Sequence, residues 1–306
     1  MEVFNNLVGN NFNHKGSSVA LGFFDGVHLA HKAILSTAAE LAKKNNLKSF
    51  VVTFKKSPRS YFTPNNSCLS LQTLDDKLDM ISKTGIDYAY VLDFEDFKSL
   101  SATQYLKDIL IKNFNPKYIV TGFNHTFGMN RSGNANFLRT NKSLGYKYIE
   151  VEKIRLNNTL ISSTNIKKFV EKGYIKEANA LLGYDFNIQG CVQKGMGLAR
   201  KLGYKTANVF WDNNLVHPPY GVYFGCVEYK GLIYRALINW GKKPTINKDN
   251  APLLETHILD FDKEIYGENI RVYFKAPLRE EKKFNNLEEL KSAITYDVQS
   301  VASLKL

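Results

Sequence analysis

The stretch GFFDGVHLAH, residues 22–31, decides the fold of the first half of this chain. An apolar run from Ser18 to Phe24 leads into it and predicts a buried β-strand, and apolar residues then recur at helical spacing from Leu29 to Lys44. A turn from strand to helix presents backbone N–H groups and the positive end of a helix, and both favour a phosphate group. Gly22 and Gly26 would allow a ligand to approach the backbone of this turn closely.

Outward from this turn, strands and helices continue to alternate through the first half of the chain. Strands are predicted at Ser49–Phe54, Tyr88–Leu92, Tyr118–Thr121 and Lys147–Val151, and helices at Leu74–Lys83, Ala102–Lys112 and Asn165–Leu182. This alternation predicts βαβ units and therefore an α/β domain with a doubly wound parallel sheet. Such sheets bind ligands at the carboxyl ends of their strands.

The pattern changes after residue 184 to short β-rich runs separated by turn residues. Strands are predicted at Phe186–Val192, Tyr220–Tyr229, Leu232–Asn239, Thr256–Leu259 and Ile270–Phe274, and a final helix at Asn286–Leu304. We therefore predict two domains: a doubly wound domain over residues 1–184 and a mainly antiparallel β-barrel with a terminal helix over residues 185–306.

The composition is that of an ordinary soluble protein. The chain has 306 residues, 44% of them hydrophobic and 23% charged, which is enough for two domains with separate cores. Its three cysteines lack CxxC spacing, which argues against a disulfide framework or a zinc ribbon. No signal peptide and no apolar run of membrane-spanning length is found, so we expect a cytoplasmic protein.

The net charge of +12 favours anionic ligands without naming one. The lysines are scattered and form no run longer than two, which argues against a basic tail that binds nucleic acid. Small polyanions such as nucleotides are adequate partners for this charge. We expect small-molecule partners, with neither a membrane nor nucleic acid as the main ligand.

Two histidines of the opening stretch are candidates for phosphate chemistry. His28 and His31 are three residues apart and would share one face of the helix. Two imidazoles directed at a polyphosphate would stabilise charge during transfer of a nucleotidyl group, with no covalent intermediate. The alternative is that one histidine caps or packs against the helix while the other is a solvated surface residue. A zinc site is disfavoured because no acid or thiol has ligand spacing.

Two further stretches of the first half fit a phosphate site. GFNHTFG, residues 122–128, is a polar loop bounded by glycines after a predicted strand, and ISSTNIK, residues 161–167, opens a helix with hydroxyls and a cation. Hydroxyls, helix N–H groups and the Lys167 ammonium together would bind phosphate. The alternative for Ser162–Thr164 is a simple helix N-cap.

The second half contains its own candidate site. GCVQKGMGLARKLGY, residues 190–204, is a basic loop rich in glycine, although it lacks the GK[ST] of a Walker P-loop. Thr206 and Asn208 would lie on one side of a strand as oxygen ligands for Mg²⁺, and Glu255 is placed at the start of an apolar strand as a general base for an alcohol. The alternatives are a polar edge strand and a solvated carboxylate.

The three stretches of the first half resemble the nucleotidylyltransferase superfamily, and more narrowly the adenylyltransferase module of bacterial bifunctional riboflavin kinase/FAD synthetases. Ala30, His125 and Lys167 stand where that pattern usually has Gly, Phe and Arg, and Ser57 where a His is typical. The resemblance implies that the FMN phosphate attacks the α-phosphate of ATP in the presence of Mg²⁺. It also implies that His28 and His31 steady the ATP phosphates.

The second half is similar to the riboflavin kinase module of the same family. KTAN, GVY, NWGKKPT, ETHILDF, YG and LREEKKF match its motifs in order, with Lys205 in place of Pro. The resemblance implies that Thr206 and Asn208 bind Mg²⁺ and ATP and that Glu255 takes the proton from the ribityl 5′-hydroxyl of riboflavin. It also leads us to expect flavin contacts from Tyr223, Asn239 and Arg279. The motifs of both halves assign nucleotide and phosphate binding to Gly22, Phe24, Asp25, Gly26, Asn124, Ser162, Ser163, Thr164, Lys167, Gly190, Gly195, Gly197, Arg200, Thr206 and Asn208.

The function predicted from the sequence is therefore a bifunctional enzyme of FAD biosynthesis that uses ATP, riboflavin and FMN. Two alternatives remain open at this point. One is a riboflavin kinase with weak or lost adenylyltransferase activity, and the other is a flavin-binding regulator associated with RNA.

Overall fold

The chain divides into two units, Met1–Ser163 and Thr164–Leu306, in a computed structural model. The structure describes residues 1–5, 15–63, 68–195, 203–241 and 253–304. Within these ranges, no helix has the length and apolar character that a membrane crossing requires. The domain boundary near residue 184 stays a prediction, because a division by contact density need not coincide with a division by function.

The sheet of the first unit is fully parallel, as the alternation of strands and helices predicts. Its strands are β1 (Glu2–Phe4), β2 (Ser17–Leu21), β3 (Lys48–Phe54), β4 (Tyr88–Leu92), β5 (Pro116–Gly122) and β6 (Lys147–Val151). Their order is β1-β4-β3-β2-β5-β6, so β2 pairs with β3 on one side and with β5 on the other. The chain reverses its direction of progress across the sheet between β2 and β5, which is where a doubly wound fold binds its ligand.

Hydrophobic cores cover both faces of this sheet. All five residues of β2 are buried; Val19 packs in the core on one face and Ala20 in the core on the other. Helix α1 (Leu29–Lys44) contributes Leu35 and Ala38 to the second core, from the same apolar stripe that predicts the helix. Burial on both faces explains why the central strands are continuous apolar runs rather than alternating ones.

The other helices of the first unit are shorter. They are α2 (Leu74–Ser82), α3 (Ala102–Gln104), α4 (Lys112–Phe114) and α5 (Ala135–Thr140). A π-helix, Tyr105–Ile111, joins α3 to α4 where the sequence predicts an ordinary α-helix. The apolar periodicity does not separate the two forms, because a single widened turn changes the spacing by only one residue. Strand β1 and the hairpin of β7 (Arg155–Leu156) and β8 (Thr159–Leu160) have no clear sequence signal because they are so short.

The predicted helix Asn165–Leu182 is two helices, which corrects the sequence prediction. They are α6 (Ser163–Glu171) and α7 (Ile175–Leu182). Gly173 lies between them with φ of +77°, a conformation that ends a helix and that glycine adopts without steric cost.

The six strands of the second unit close into an antiparallel barrel, as predicted. The strands are β9 (Asn187–Gln193), β10 (Ala207–Phe210), β11 (Gly221–Tyr229), β12 (Leu232–Gly241), β13 (Leu253–Ile258) and β14 (Asn269–Glu280), in the closed order β10-β13-β12-β11-β14-β9. The terminal helix α8 (Leu287–Ser303) covers part of the outer surface. Its Val301 packs against Val222 and Leu237, which face outward from the barrel wall.

Candidate functional site

The turn of residues 22–28 follows β2 at the point where the chain changes its direction across the sheet. Its backbone has φ of +58° at Phe24, +82° at Gly26 and +30° at Val27. Gly22 must be glycine here, since a Cβ on it would lie 2.9 Å from the ring of Phe24. Phe24 itself is only 1% exposed and packs in the core, so its ring supports the turn.

His28 is the N-cap of α1, so the capping role that the sequence left open is realised. Its backbone is extended, with φ of −66° and ψ of 173°, and its Nδ1 accepts a hydrogen bond from the backbone N–H of His31 at 3.2 Å. The two imidazole rings stack with their centroids 3.6 Å apart and their planes 15° apart. The histidine pair is therefore one rigid unit at the positive end of a sixteen-residue helix.

Both histidines are held in the neutral form. Burial lowers the pKa of His28 to about 4. Burial, followed by repulsion from His28 and Lys77, lowers the pKa of His31 well below its usual range. Nδ1 of His28 is an acceptor and carries no proton, so its proton resides on Nε2.

The same tautomer follows for His31 from its surroundings. Its Nδ1 is buried and has no hydrogen-bond partner among the described residues. A buried N–H without an acceptor is rarer in proteins than a buried lone pair without a donor, so the proton belongs on Nε2. The pair therefore offers two neutral Nε2–H donors.

Two hydrogen bonds from distant parts of the sequence hold the turn. The carboxylate Oδ1 of Asp25 accepts a bond from the backbone N–H of Leu71 at 2.8 Å. The carbonyl oxygen of Asp25 accepts a bond from the hydroxyl of Ser163 at 2.9 Å, across 138 positions of sequence. The structure thus brings Ser163 to the histidine turn. Thr164 and Lys167 continue α6 in the second unit, and their part in the site stays a prediction.

Lys77 also lies at this turn, and sequence reasoning missed it. The residue is 3% exposed, and its ammonium donates to the carbonyl oxygens of Phe23 and Phe54 and to the hydroxyl of Thr53. A signal was present in the sequence: Lys77 is four residues before the buried Ile81, on the apolar stripe of α2.

The loop after β5 belongs to the same edge of the sheet as the histidine turn, because β5 is paired in parallel with β2. Asn124 is exposed in this loop, as a substrate contact would have to be. His125 stacks on Phe127 with the ring planes 25° apart, and burial lowers the pKa of His125 to about 4. This loop is therefore placed to contact a ligand bound at the turn.

In the barrel, three predicted site residues form one row across neighbouring strands. Glu255 of β13 is directly opposite Asn208 of β10 on one side and Asn239 of β12 on the other. Opposite residues of paired strands project from the same face of a sheet, with Cβ atoms roughly 5 Å apart. The carboxylate thus lies between two carboxamides on the outer face of the barrel.

A pocket of about 60 Å³ adjoins this row. Gly195, Thr206 and Asn208 line it, together with Phe261, Lys263 and Tyr266. Gly195 must be glycine, since a Cβ there would lie 2.4 Å from Nδ2 of Asn208. The Asn208 side chain is buried, and its Oδ1 has no hydrogen-bond partner among the described residues.

These oxygen atoms suit Mg²⁺. A hydroxyl and a carboxamide oxygen are hard ligands, and Mg²⁺ completes its shell with phosphate oxygens and water when it is bound with ATP. In the part of the chain that the structure describes, no cluster of three or more His, Cys, Asp or Glu residues could hold a metal. A metal in this pocket would therefore depend on Thr206, Asn208 and the nucleotide.

Two residues expected at the barrel site have packing contacts away from the pocket, and their part in binding stays a prediction. Tyr223 points into the barrel interior, where it is 3% exposed and its hydroxyl donates to the carbonyl oxygen of Pro219 at 2.5 Å. Gly190 lies in β9, and a Cβ there would lie 2.4 Å from Cγ1 of Val209, so this glycine serves packing.

Arg279 remains on the outer face of the barrel, in the same row of residues as Asn239. It is opposite Val222, which in turn is opposite Asn239. Its guanidinium forms a paired contact with Asp297 of α8, at 3.0 Å from Nε and 2.8 Å from Nη2 to Oδ2. Gly197 and Arg200 lie outside the described residues.

Comparison with known proteins assigns each half of the chain. The FAD synthetase family matches residues 10–165 and the riboflavin kinase family matches residues 182–305. The chain belongs to the bifunctional riboflavin kinase/FMN adenylyltransferase family. A protein of that name from Buchnera aphidicola subsp. Schizaphis graminum is 36% identical over 297 residues, which cover 94% of each chain. The protein of the same name from Bacillus subtilis is 34% identical over 92% of this chain and 90% of its own length.

A solved structure has the same fold over the full length. The crystal structure titled as a macrolide-efflux protein from Streptococcus pneumoniae superposes with a TM-score of 0.89 at 29% identity and covers 100% of both chains. The name macrolide-efflux protein belongs to the protein from Streptococcus pneumoniae. What the two proteins share is the fold.

Proposed function

We propose that this chain makes FAD from riboflavin in two ATP-dependent steps, with each step carried out by the residues described above. The observation that carries the proposal is that each family match covers a separate group of candidate residues. The histidine turn lies within the FAD synthetase match, and the row of Asn208, Glu255 and Asn239 lies within the riboflavin kinase match.

In the barrel, Glu255 acts as the general base on riboflavin. It takes the proton of the ribityl 5′-hydroxyl as the oxygen attacks the γ-phosphorus of ATP, and ADP leaves with FMN as the product. Thr206 and Asn208 hold the phosphates from the adjoining pocket, and Asn239 orients the substrate beside Glu255. Mg²⁺ bound to Thr206, Asn208 and ATP would neutralise phosphate charge.

In the doubly wound unit, the FMN phosphate attacks the α-phosphorus of ATP in line, and pyrophosphate leaves. His28 and His31 donate their Nε2–H bonds to phosphate oxygens on which negative charge develops, and the N-terminus of α1 adds its positive end. Both imidazoles act as neutral donors, so no proton is taken up or lost by them. Ser163 keeps the turn in place through its bond to Asp25.

The test is incubation of the purified chain with riboflavin, ATP and Mg²⁺, followed by chromatography of the flavins. We expect FMN to form first and FAD to follow. Accumulation of FMN without any FAD would leave only the kinase half of the proposal standing. No flavin product at all would contradict both halves.

The role of Glu255 is tested by Glu255→Gln, which keeps the shape of the side chain and removes the base. We expect FMN formation to fall at least about 100-fold, as is usual when a general base is lost, while added FMN is still converted to FAD. Glu268→Gln, at an exposed ion pair with Lys230, is the matched control and should leave both steps unchanged. Normal FMN formation by Glu255→Gln would contradict the role of Glu255 as the general base.

A further inference from the structure

Lys77 is a buried cation that has no role in the two reactions proposed above. Its ammonium lies 2.8 Å from the carbonyl oxygen of Phe54, 3.2 Å from the hydroxyl of Thr53 and 3.3 Å from the carbonyl oxygen of Phe23. All three N–H donors of the ammonium are thereby satisfied. All three acceptors are uncharged, so these contacts leave the positive charge in place.

The three acceptors place the ammonium at the carboxyl ends of β2 and β3. Phe54 is the last residue of β3, and Phe23 is the second residue after the end of the neighbouring strand β2. The hydroxyl of Thr53 also donates to the carbonyl oxygen of Phe23, at 2.9 Å. The ammonium and Thr53 thus join the carboxyl ends of two strands at the beginning of the histidine turn.

The turn needs such support because its backbone is strained. Phe24 and Val27 have positive φ, which residues with a Cβ adopt rarely and at a cost in free energy. The Phe23 carbonyl, held by both Lys77 and Thr53, immediately precedes this segment. The ring of Phe23 covers the ammonium at 4.3 Å and helps to exclude water from it.

The ammonium is also close enough to act on the charged groups of the turn. Burial lowers the pKa of Lys77 to about 8, and the Asp25 carboxylate opposes that shift. Lys77 in turn lowers the pKa of His31. At neutral pH the ammonium is therefore still charged, and it contributes positive potential in a region of low dielectric constant.

We propose that Lys77 is a positioning residue for adenylyl transfer, which fixes the strained histidine turn and keeps a positive charge beside it at neutral pH. It does not touch the substrate. It acts by fixing the position of His28 and His31 and by adding its field to that of the helix N-terminus. The inference rests on the proposed adenylyltransferase function of the first unit.

The test compares Lys77→Met, which keeps the length of the side chain, with Lys77→Arg, which keeps the charge. Lys83→Met is the matched control, because Lys83 ends the same helix with a side chain that is 63% exposed. For Lys77→Met we expect kcat for FAD formation from FMN to fall at least tenfold and both KM values to change less than threefold. Phosphorylation of riboflavin by the same preparation should be unchanged, which shows that the second unit is intact, and a circular dichroism spectrum equal to that of the wild-type chain shows that the first unit is folded.

The charge itself is tested by pH. In the wild-type chain, kcat for FAD formation should decline above about pH 8 as Lys77 loses its proton. Among the described residues, the Asp25 carboxylate and the His31 imidazole interact with it, and the pKa of His31 lies well below this range. Lys77→Arg should retain at least a third of the activity at pH 7.5 and remove the alkaline decline.

Normal kcat in Lys77→Met, or an Arg variant as poor as the Met variant, would overturn the inference. If Lys77→Met does not fold, nuclear magnetic resonance of the wild-type chain decides the question, since the His31 ring signals should shift with an apparent pKa about 8. The absence of that shift would contradict the buried charge. A wild-type chain that makes no FAD would instead contradict the proposed function, which is a separate result.

Discussion

At the scale of single residues, His28 shows how one side chain serves structure and chemistry together. Its Nδ1 caps α1 through the N–H of His31, and this bond leaves Nε2 as the protonated nitrogen. The cap therefore sets the tautomer that the proposed phosphate site requires. Sequence reasoning treated capping and catalysis as alternatives, whereas the cap seen in the structure is compatible with the proposed role of Nε2 as a phosphate donor.

Neutral histidines have a measurable consequence for pH dependence. The pKa of His28 is about 4, so its ionisation should not affect FAD formation between pH 5.5 and 7.5. An imidazolium mechanism would instead lose activity with an apparent pKa near 6.5. Nuclear magnetic resonance of the ¹⁵N-labelled rings should show the Nε2–H tautomer for His28 and His31 throughout this range.

His125 should make the first unit sensitive to acid. Its pKa is lowered to about 4 from the 6.5 of an unfolded chain, so the unfolded state binds the proton more tightly. Above pH 6.5 His125 is neutral in both the folded and the unfolded state, so its protonation does not affect stability. Between pH 6.5 and about 4 only the unfolded state binds the proton, so the free energy of unfolding falls as the pH falls. His125→Phe should therefore reduce the loss of unfolding free energy between pH 7.5 and pH 5 by about 2 kcal/mol.

Urea unfolding of the wild-type chain and the variant at the two pH values measures this difference. Phenylalanine preserves the stacking on Phe127, so the two chains should have similar stability at pH 7.5. An equal acid-induced loss in both chains would contradict the buried neutral state of His125.

At the scale of secondary-structure elements, a buried ion pair attaches α8 to the barrel. The Asp297 side chain is 6% exposed and the Arg279 side chain 29%, and the carboxylate accepts from both Nε and Nη2. Asp297→Asn should lower the free energy of unfolding by about 2 kcal/mol, because a guanidinium is left in a partly buried site without its counter-charge.

The control for this substitution is Asp262→Asn, at an ion pair with Lys205 in which the aspartate side chain is 91% exposed. An exposed pair contributes little, so this variant should change stability by less than about 0.5 kcal/mol. Both tryptophans of the chain, Trp211 and Trp240, lie in the barrel unit, so their fluorescence reports its unfolding. Equal effects of the two substitutions would contradict the anchoring role of Asp297.

Elements also show where periodicity is an adequate guide. Strand β3 and helix α1 were predicted almost to their ends, because each buries a continuous run or a single stripe of apolar residues. The predicted strand Ser18–Phe24 ends earlier, at Leu21, because residues 22–24 already belong to the histidine turn. The break at Gly173 and the π-helix Tyr105–Ile111 were missed, because neither shifts the apolar positions of its segment by more than one residue.

At the scale of the whole molecule, the two activities of this family member should be separable. His31→Ala removes a phosphate donor and should leave FMN accumulating from riboflavin. Glu255→Gln should make FAD from added FMN only. A mixture of the two variants should restore the conversion of riboflavin to FAD, because each variant retains the step that the other lacks.

The experiment is a chromatographic time course with each variant alone and with the mixture. Loss of both steps in either single variant would contradict independent sites. Failure of the mixture, with both single variants behaving as expected, would show that free FMN does not pass between chains.

The sequence by itself determined the alternation of strands and helices, the change to barrel texture, and the motif residues His28, His31, Asn208 and Glu255. The elements follow from local spacing, which a chain carries without knowledge of its fold, and the candidate residues from short motifs that resemble those of a known family. Only the tertiary structure decided that Ser163 bonds to Asp25, that Lys77 lies beneath the histidine turn, and that Tyr223 faces the barrel interior. Each of these depends on which strands are neighbours and on which face of a strand a side chain emerges, and pairing between distant segments sets both.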